Sequence, residues 1–160
     1  MEHASPKFNW KAVLAGAATD FACTFTTSIL LAVVLMGAMA AQGQNLQGMA
    51  TNAENFNYNL PLALAGLTFG LCSTALGGFV AAQIARGAEL SNAGAVGVIA
   101  ILMGAVMLPL DQSPIAWTSY LSFALSVPAA LLGGWVRLRL PRREPFREDI
   151  GDDHSPLPHP

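Results

Sequence analysis

NLPLALAGLTFGLCSTALGGFVAAQIAR, from Asn59 to Arg86, is one apolar run long enough to cross a bilayer, with a small residue at every fourth position. Gly66, Gly70, Thr74, Gly78 and Ala82 fall along one side of a helix, and Gly77 sits beside that line. In lipid the hydrophobic effect does not press one helix onto another, so a smooth stripe lets a neighbouring backbone come close enough for dispersion contacts. The stretch reads as the helix on which the others pack. With three further apolar stretches it predicts an all-α fold, a four-transmembrane-helix bundle.

Composition supports that class. The chain has 160 residues, 53% hydrophobic and 11% charged, against about 25% charged in an ordinary soluble domain. Its charges gather in the first eleven residues, in one short loop and after Val136, which leaves four long stretches almost free of them. Stretches of about 20 apolar residues match a hydrocarbon core about 30 Å thick. The predicted organisation is an interfacial N-terminus over residues 1–11, a membrane domain over 12–140 with helices at about 12–41, 60–86, 92–110 and 114–138, and a disordered tail over 141–160.

Taken in order, Lys7, Phe8, Trp10 and Lys11 mix cations and aromatic rings as a headgroup anchor does. The first apolar stretch, from Ala12 to Ala41, holds one acid, Asp20, and the hydroxyls of Thr19, Thr24, Thr26, Thr27 and Ser28. Its positive start and the Ala38-Met39-Ala40 triplet are shared with signal peptides, but it is longer than an h-region of 7–15 residues and contains an acid. A membrane span is the expectation. The loop from Gln42 to Asn59 carries three Gln, five Asn and one Glu, and no Lys or Arg. Asn59 and Pro61 open the second helix, Ser91 is the expected N-cap of the third, and Ser113 with Pro114 opens the fourth. Pro128 removes a backbone donor in the middle of that last helix and predicts a kink. Ser122, Ser126, Ala130 and Gly134 give it a small-residue stripe of its own, while Gly97 and Gly104 supply small residues to the third helix.

The eight Lys and Arg decide the orientation. Lys7, Lys11, Arg86 and the five arginines after Val136 all fall on one side of a four-crossing chain. The positive-inside rule makes that side cytoplasmic, with both termini inside a cytoplasmic membrane. Arg137, Arg139, Arg142 and Arg143 are also placed to attract anionic lipid, at about 1 kcal/mol per residue near the surface. The expected partners are the lipid bilayer and other membrane subunits or a second copy of the chain, with no nucleic acid.

Short words recur between the halves. Ala75-Leu76-Gly77-Gly78-Phe79-Val80 pairs with Leu131-Leu132-Gly133-Gly134-Trp135-Val136, and Leu35-Met36-Gly37-Ala38 with Leu102-Met103-Gly104-Ala105. They predict two hairpins related by an axis along the membrane normal, a parallel repeat. Packing is expected at Gly66, Gly70, Thr74, Gly77, Gly78, Ala82, Gly97, Gly104, Ala130, Gly133 and Gly134.

The run Gly77-Gly78-Phe79-Val80-Ala81-Ala82 followed by Arg86-Gly87 resembles the small four-helix bacterial inner-membrane proteins of uncharacterised family that carry a Gly-Gly-aromatic-aliphatic-Ala motif before a basic loop and a Gly-rich third helix. The resemblance extends from about Gly66 to Gly104, and Gln83 and Ile84 depart from it where basic residues are expected. It implies a bacterial cytoplasmic membrane and supplies no activity.

Chemistry-bearing residues are few. Cys23 and Cys72 fall inside apolar stretches and read as small packing residues. His154 and His159 stand in the charged tail, and two histidines alone do not make a metal site. No metal-ligand spacing, nucleophile elbow, phosphate loop or dinucleotide fingerprint is present, so neither an enzyme nor a cofactor is expected. Asp20 is the exception. It lies nine residues inside Lys11, about 13 Å along the helix, where a carboxylate costs several kcal/mol unless paired, hydrated or protonated.

Counting the same depth from the basic ends of the other helices brings Ser73, Thr74 and Ser126 near Asp20, with Thr24 one turn along its own face. No Lys, Arg or His is available at that depth. Asp20 must therefore be a neutral hydrogen-bonding acid, meet water, or find a cation on another subunit. Three roles follow: a packing hydrogen bond between helices, a site that moves a proton or cation, or a partner for another protein's intramembrane base. The functional expectation is a non-enzymatic membrane protein associating through its glycine faces as an accessory or assembly subunit or a homo-oligomer. The alternative is a small proton- or cation-linked transporter or channel using Asp20.

Overall fold

The computed structural model describes residues 8–43, 45, 48, 60–85, 87–107 and 117–141. These form four long helices: α1, Trp10–Ala41; α2, Leu60–Ile84; α3, Glu89–Met107; and α4, Trp117–Arg139. Each is long and apolar enough to cross a membrane. Among the described residues there is no strand.

Local chemistry sets the helix ends. Asn9, in an extended conformation, caps α1 by accepting from the amides of Lys11 at 3.1 Å and Ala12 at 3.4 Å. The helix therefore starts at Trp10, two residues before the expected boundary. Gly87 turns the chain between α2 and α3 with φ +88°, a left-handed conformation that glycine adopts without steric cost. Because the reversal is complete there, α3 begins at Glu89, three residues earlier than expected, and Ser91 lies inside its first turn rather than at its N-cap. The amide of Asn92 already bonds back to the Ala88 carbonyl at 3.1 Å. α4 runs without a break through Pro128. The expected start of α4 at Ser113 and Pro114, and the tail from Arg142 onward, lie outside the described residues.

α2 touches all three other helices, most extensively α4 and then α1, while α3 packs against α4, α2 and α1. The four ends at Trp10, Ile84, Glu89 and Arg139 lie together, since Asn9 meets Asn92 and Gly134 faces Ala93. We call this the terminal end and its opposite the loop end.

Backbone-to-backbone packing is concentrated in the terminal half. Gly16 and Gly77 press backbone to backbone: a Cβ on Gly16 would stand 2.5 Å from the Gly77 carbonyl, and one on Gly77 2.7 Å from the Gly16 carbonyl. α2 and α4 meet in the same reciprocal way, Gly78 against the backbone of Ala130 and Gly133 against the backbone of Ala75. Gly97 lies on the backbone of Val127, with a built Cβ 2.7 Å from its Cα. Gly104 accommodates the Phe123 ring. Val13, Ala81 and Val96 fill the space between these crossings, with Ala82 and Ala130 also buried.

Toward the loop end the helices part. Nothing lies within 4 Å of a Cβ built on Gly37, Gly66 or Gly70. Among the described residues of the chain Gly66 and Gly70 meet no neighbour: the stripe on α2 is used from Thr74 to Ala82 and left open above it. α1 is the most exposed helix in its outer part, where Phe25, Leu30, Val33 and Val34 are all uncovered. Its 32 residues extend about 48 Å at 1.5 Å per residue, well beyond a hydrocarbon core of about 30 Å.

Candidate functional site

Where the helices begin to part, they enclose a partly open cavity of about 340 Å³. One turn below its residues Asp20 and Thr74 lies the Gly16–Gly77 crossing, with Val96 against both glycines. Asp20, one turn above Gly16, stands at the bottom of the cavity, and its Cβ lies 2.9 Å from the position of a Cβ built on Gly77. The side chain of Asp20 can sit between two helices because Gly77 has none.

Each helix contributes a distinct part of the lining. From α2, Thr74 donates its hydroxyl to Asp20 Oδ1 at 3.2 Å and lies 3.1 Å from the Gly70 carbonyl. The Thr24 hydroxyl, one turn further along α1, is within reach of the same carboxylate. From α4, Ser122 and Ser126 border the cavity, and Ser126 gives its proton to the Ser122 carbonyl at 2.7 Å. α3 supplies an apolar wall, Ile99 to Gly104, and Phe123 closes the side between α3 and α4. Phe21 and Met103, both exposed, stand at the rim.

The chemistry of this lining is one-sided. A hydroxyl has one proton to donate and two lone pairs to offer. Ser126 gives its proton to a backbone carbonyl and Thr74 has the Asp20 carboxylate and the Gly70 carbonyl as acceptors, so both hydroxyl oxygens keep lone pairs to offer to the cavity. Asp20 adds a carboxylate, and among the described residues no Lys, Arg or His lines the cavity. The space accepts hydrogen bonds and positive charge.

Four of the five residues grouped by depth therefore come together: Asp20, Thr24, Thr74 and Ser126. Ser73 does not. It is buried on the other side of α2, in a groove of about 390 Å³ against α1 that also contains Cys23, Cys72, Thr26 and Thr27. Depth alone could not separate it from Thr74, because consecutive helical residues differ by about 100° in direction. Both cysteines are free thiols bordering this groove.

A further polar residue escaped the sequence reading. Asn92 is completely buried near the terminal end, where its Nδ2 donates to the Ala88 carbonyl at 2.7 Å and its Oδ1 accepts from the Asn9 amide at 3.0 Å. It ties the start of α1 to the start of α3. The only sequence signal was an asparagine at the end of the short connection from Gly87 to Asn92, which reads as loop chemistry. At the same end, the Arg139 guanidinium lies 3.9 Å over the Trp135 ring and Arg137 donates to the Leu140 carbonyl at 3.3 Å.

Comparison with protein-family models, curated proteins and solved structures finds no match to this chain.

Proposed function

We propose that this chain is a non-enzymatic multi-pass protein of a bacterial cytoplasmic membrane that binds a proton or small cation at Asp20 and passes it through the cavity between its helices. The observation that carries the proposal is the lining: a carboxylate, surrounding oxygen lone pairs and no cationic side chain, at a point where four helices diverge. An ionisable residue within a membrane segment is costly, and by default it marks a pathway or a binding site. A packing hydrogen bond alone needs neither the cavity nor the hydroxyls of α4.

The parallel repeat belongs to the same proposal. The reciprocal contacts of Gly78 with Ala130 and of Gly133 with Ala75 favour an axis passing between α2 and α4. The distribution of Lys and Arg supports cytoplasmic termini, and on that reading the cavity faces outward and is closed on the cytoplasmic side by the glycine crossings. Arg137 and Arg139, with Arg142 and Arg143 beyond the described residues, meet anionic headgroups there.

A second reading has its own support. The open glycines Gly66 and Gly70, with the uncovered outer part of α1, leave room for another subunit or another copy of the chain. Such an assembly is compatible with a pathway at Asp20, and a partner's base could reach the carboxylate through the open side.

The test is reconstitution in proteoliposomes with imposed proton and sodium gradients. Flux through the wild type that is lost in Asp20→Asn, with extraction and assembly unchanged, supports the pathway. Equal flux in both proteins overturns it. Mass measurement of the complex in native nanodiscs, showing foreign subunits or identical copies, then decides the second reading.

A further inference from the structure

Resting on the reading of Asp20 as a cation site, we propose that the cavity takes a small organic monocation, an alkylammonium or quaternary ammonium, rather than a bare metal ion. Size is the first ground. The volume of about 340 Å³ lies within the range of about 300–1,000 Å³ typical of small-molecule pockets and far exceeds what one dehydrated ion occupies. Hard metal ions also ask for about six oxygen ligands at close quarters. Here the side-chain oxygens of Asp20, Thr24, Thr74, Ser122 and Ser126 are spread over three helices around a much larger space.

The walls are the second ground. Phe21 and Phe123 border the cavity from opposite helices, joined by the thioether of Met103 and by Ile99. Aromatic faces attract cations by their ring quadrupole, and desolvated sites use them to recognise quaternary ammonium groups. An ion stripped of water gains little from Met103 and Ile99, whereas the alkyl groups of an organic cation bury against them. The carboxylate supplies the counter-charge at one end, and the apolar wall fits the body of the ligand.

Charge balance is simple. No other titratable side chain lines the cavity from α1, α2, α3 or α4, so one cation neutralises one carboxylate. Access is from the loop half, where Phe21 and Met103 are exposed and nothing packs on Gly66.

The experiment measures binding of radiolabelled choline to the full chain in nanodiscs, with its neutral carbon isostere dimethylbutanol as competitor. We expect saturable binding that dimethylbutanol does not displace, an affinity loss of about tenfold or more in Asp20→Asn, retention in Asp20→Glu, and a loss of a few fold in Phe21→Leu. Phe21 lies at the rim, so its replacement tests the ring without disturbing the packed half. Absence of choline binding, or binding unchanged in Asp20→Asn, overturns the inference. If Asp20 still governs proton or sodium flux in that case, the organic-cation assignment alone has failed. If Asp20→Asn alters neither flux nor binding, the cation site itself has failed.

Discussion

Thr74 on α2 donates its hydroxyl to Asp20 on α1 across 3.2 Å, while the same oxygen lies 3.1 Å from the Gly70 carbonyl of its own helix. One proton serves two acceptors, so Thr74 links α1 to α2 without holding Asp20 permanently. Replacement by valine keeps the shape and removes the donor. Thr74→Val is expected to cost about 1 kcal/mol, the scale of a hydrogen bond between membrane helices. A double-mutant cycle with Asp20→Ala, followed by reversible unfolding in mixed detergent, isolates the pair. A coupling energy near zero would mean that the contact carries no stability.

The glycines divide into two classes that one substitution can distinguish. Gly→Ala in a helix interior gains up to about 1 kcal/mol from propensity, and this gain is the same wherever the added methyl meets nothing. Gly66→Ala should therefore be neutral or stabilising, since its surroundings are open. Gly133→Ala would drive its methyl into the Ala75 backbone, and a clash with backbone cannot be relieved by a rotamer change. It should destabilise by about 1–3 kcal/mol, the usual cost of overpacking. Equal effects at the two positions, in the same unfolding assay, would contradict the arrangement of α2 and α4.

Asn92 should behave as a buried polar tie. Asn92→Ala leaves the Asn9 amide without its side-chain acceptor and is expected to cost about 1–3 kcal/mol. Asn9→Ala keeps its own backbone N–H and loses only the cap on α1, at about 1 kcal/mol. Hydrogen exchange of the first turn of α1 checks the distinction: both variants should loosen that turn, and Asn92→Ala should also loosen the start of α3.

Cys23 and Cys72 border the same groove between α1 and α2. A short bifunctional maleimide should link them within one chain, giving a faster-migrating monomer that Cys23→Ser or Cys72→Ser abolishes. Cross-links found only between chains would place α1 elsewhere.

Much of the fold could be read from the chain because runs long and apolar enough to cross a membrane leave few structural choices. Backbone groups must be satisfied within a helix, so an apolar run of adequate length fixes the element and its two ends within a few residues. Small residues then mark where backbones approach, as Gly77, Gly78, Gly97 and Gly133 do. Sequence spacing could not tell that Gly66 and Gly70, in the same line, would meet nothing, because that depends on where neighbouring helices diverge. Depth counting gathered Asp20 with Thr74 and Ser126, yet it misplaced Ser73 by ignoring angular direction. Asn92 was missed because its partners, Asn9 and Ala88, are set by a turn at Gly87 whose geometry no periodicity reveals.

The central proposal is that Asp20 binds a proton or, in its place, a small cation inside the cavity. Infrared difference spectroscopy of the reconstituted protein, with and without choline and with sodium as a second ligand, reads that exchange at the carboxyl group itself. The account predicts loss of a protonated carboxyl band and gain of carboxylate bands on adding one of these cations, both absent in Asp20→Asn. A spectrum in which neither cation alters the Asp20 bands would contradict it and leave the carboxyl as a packing hydrogen bond between α1 and α2.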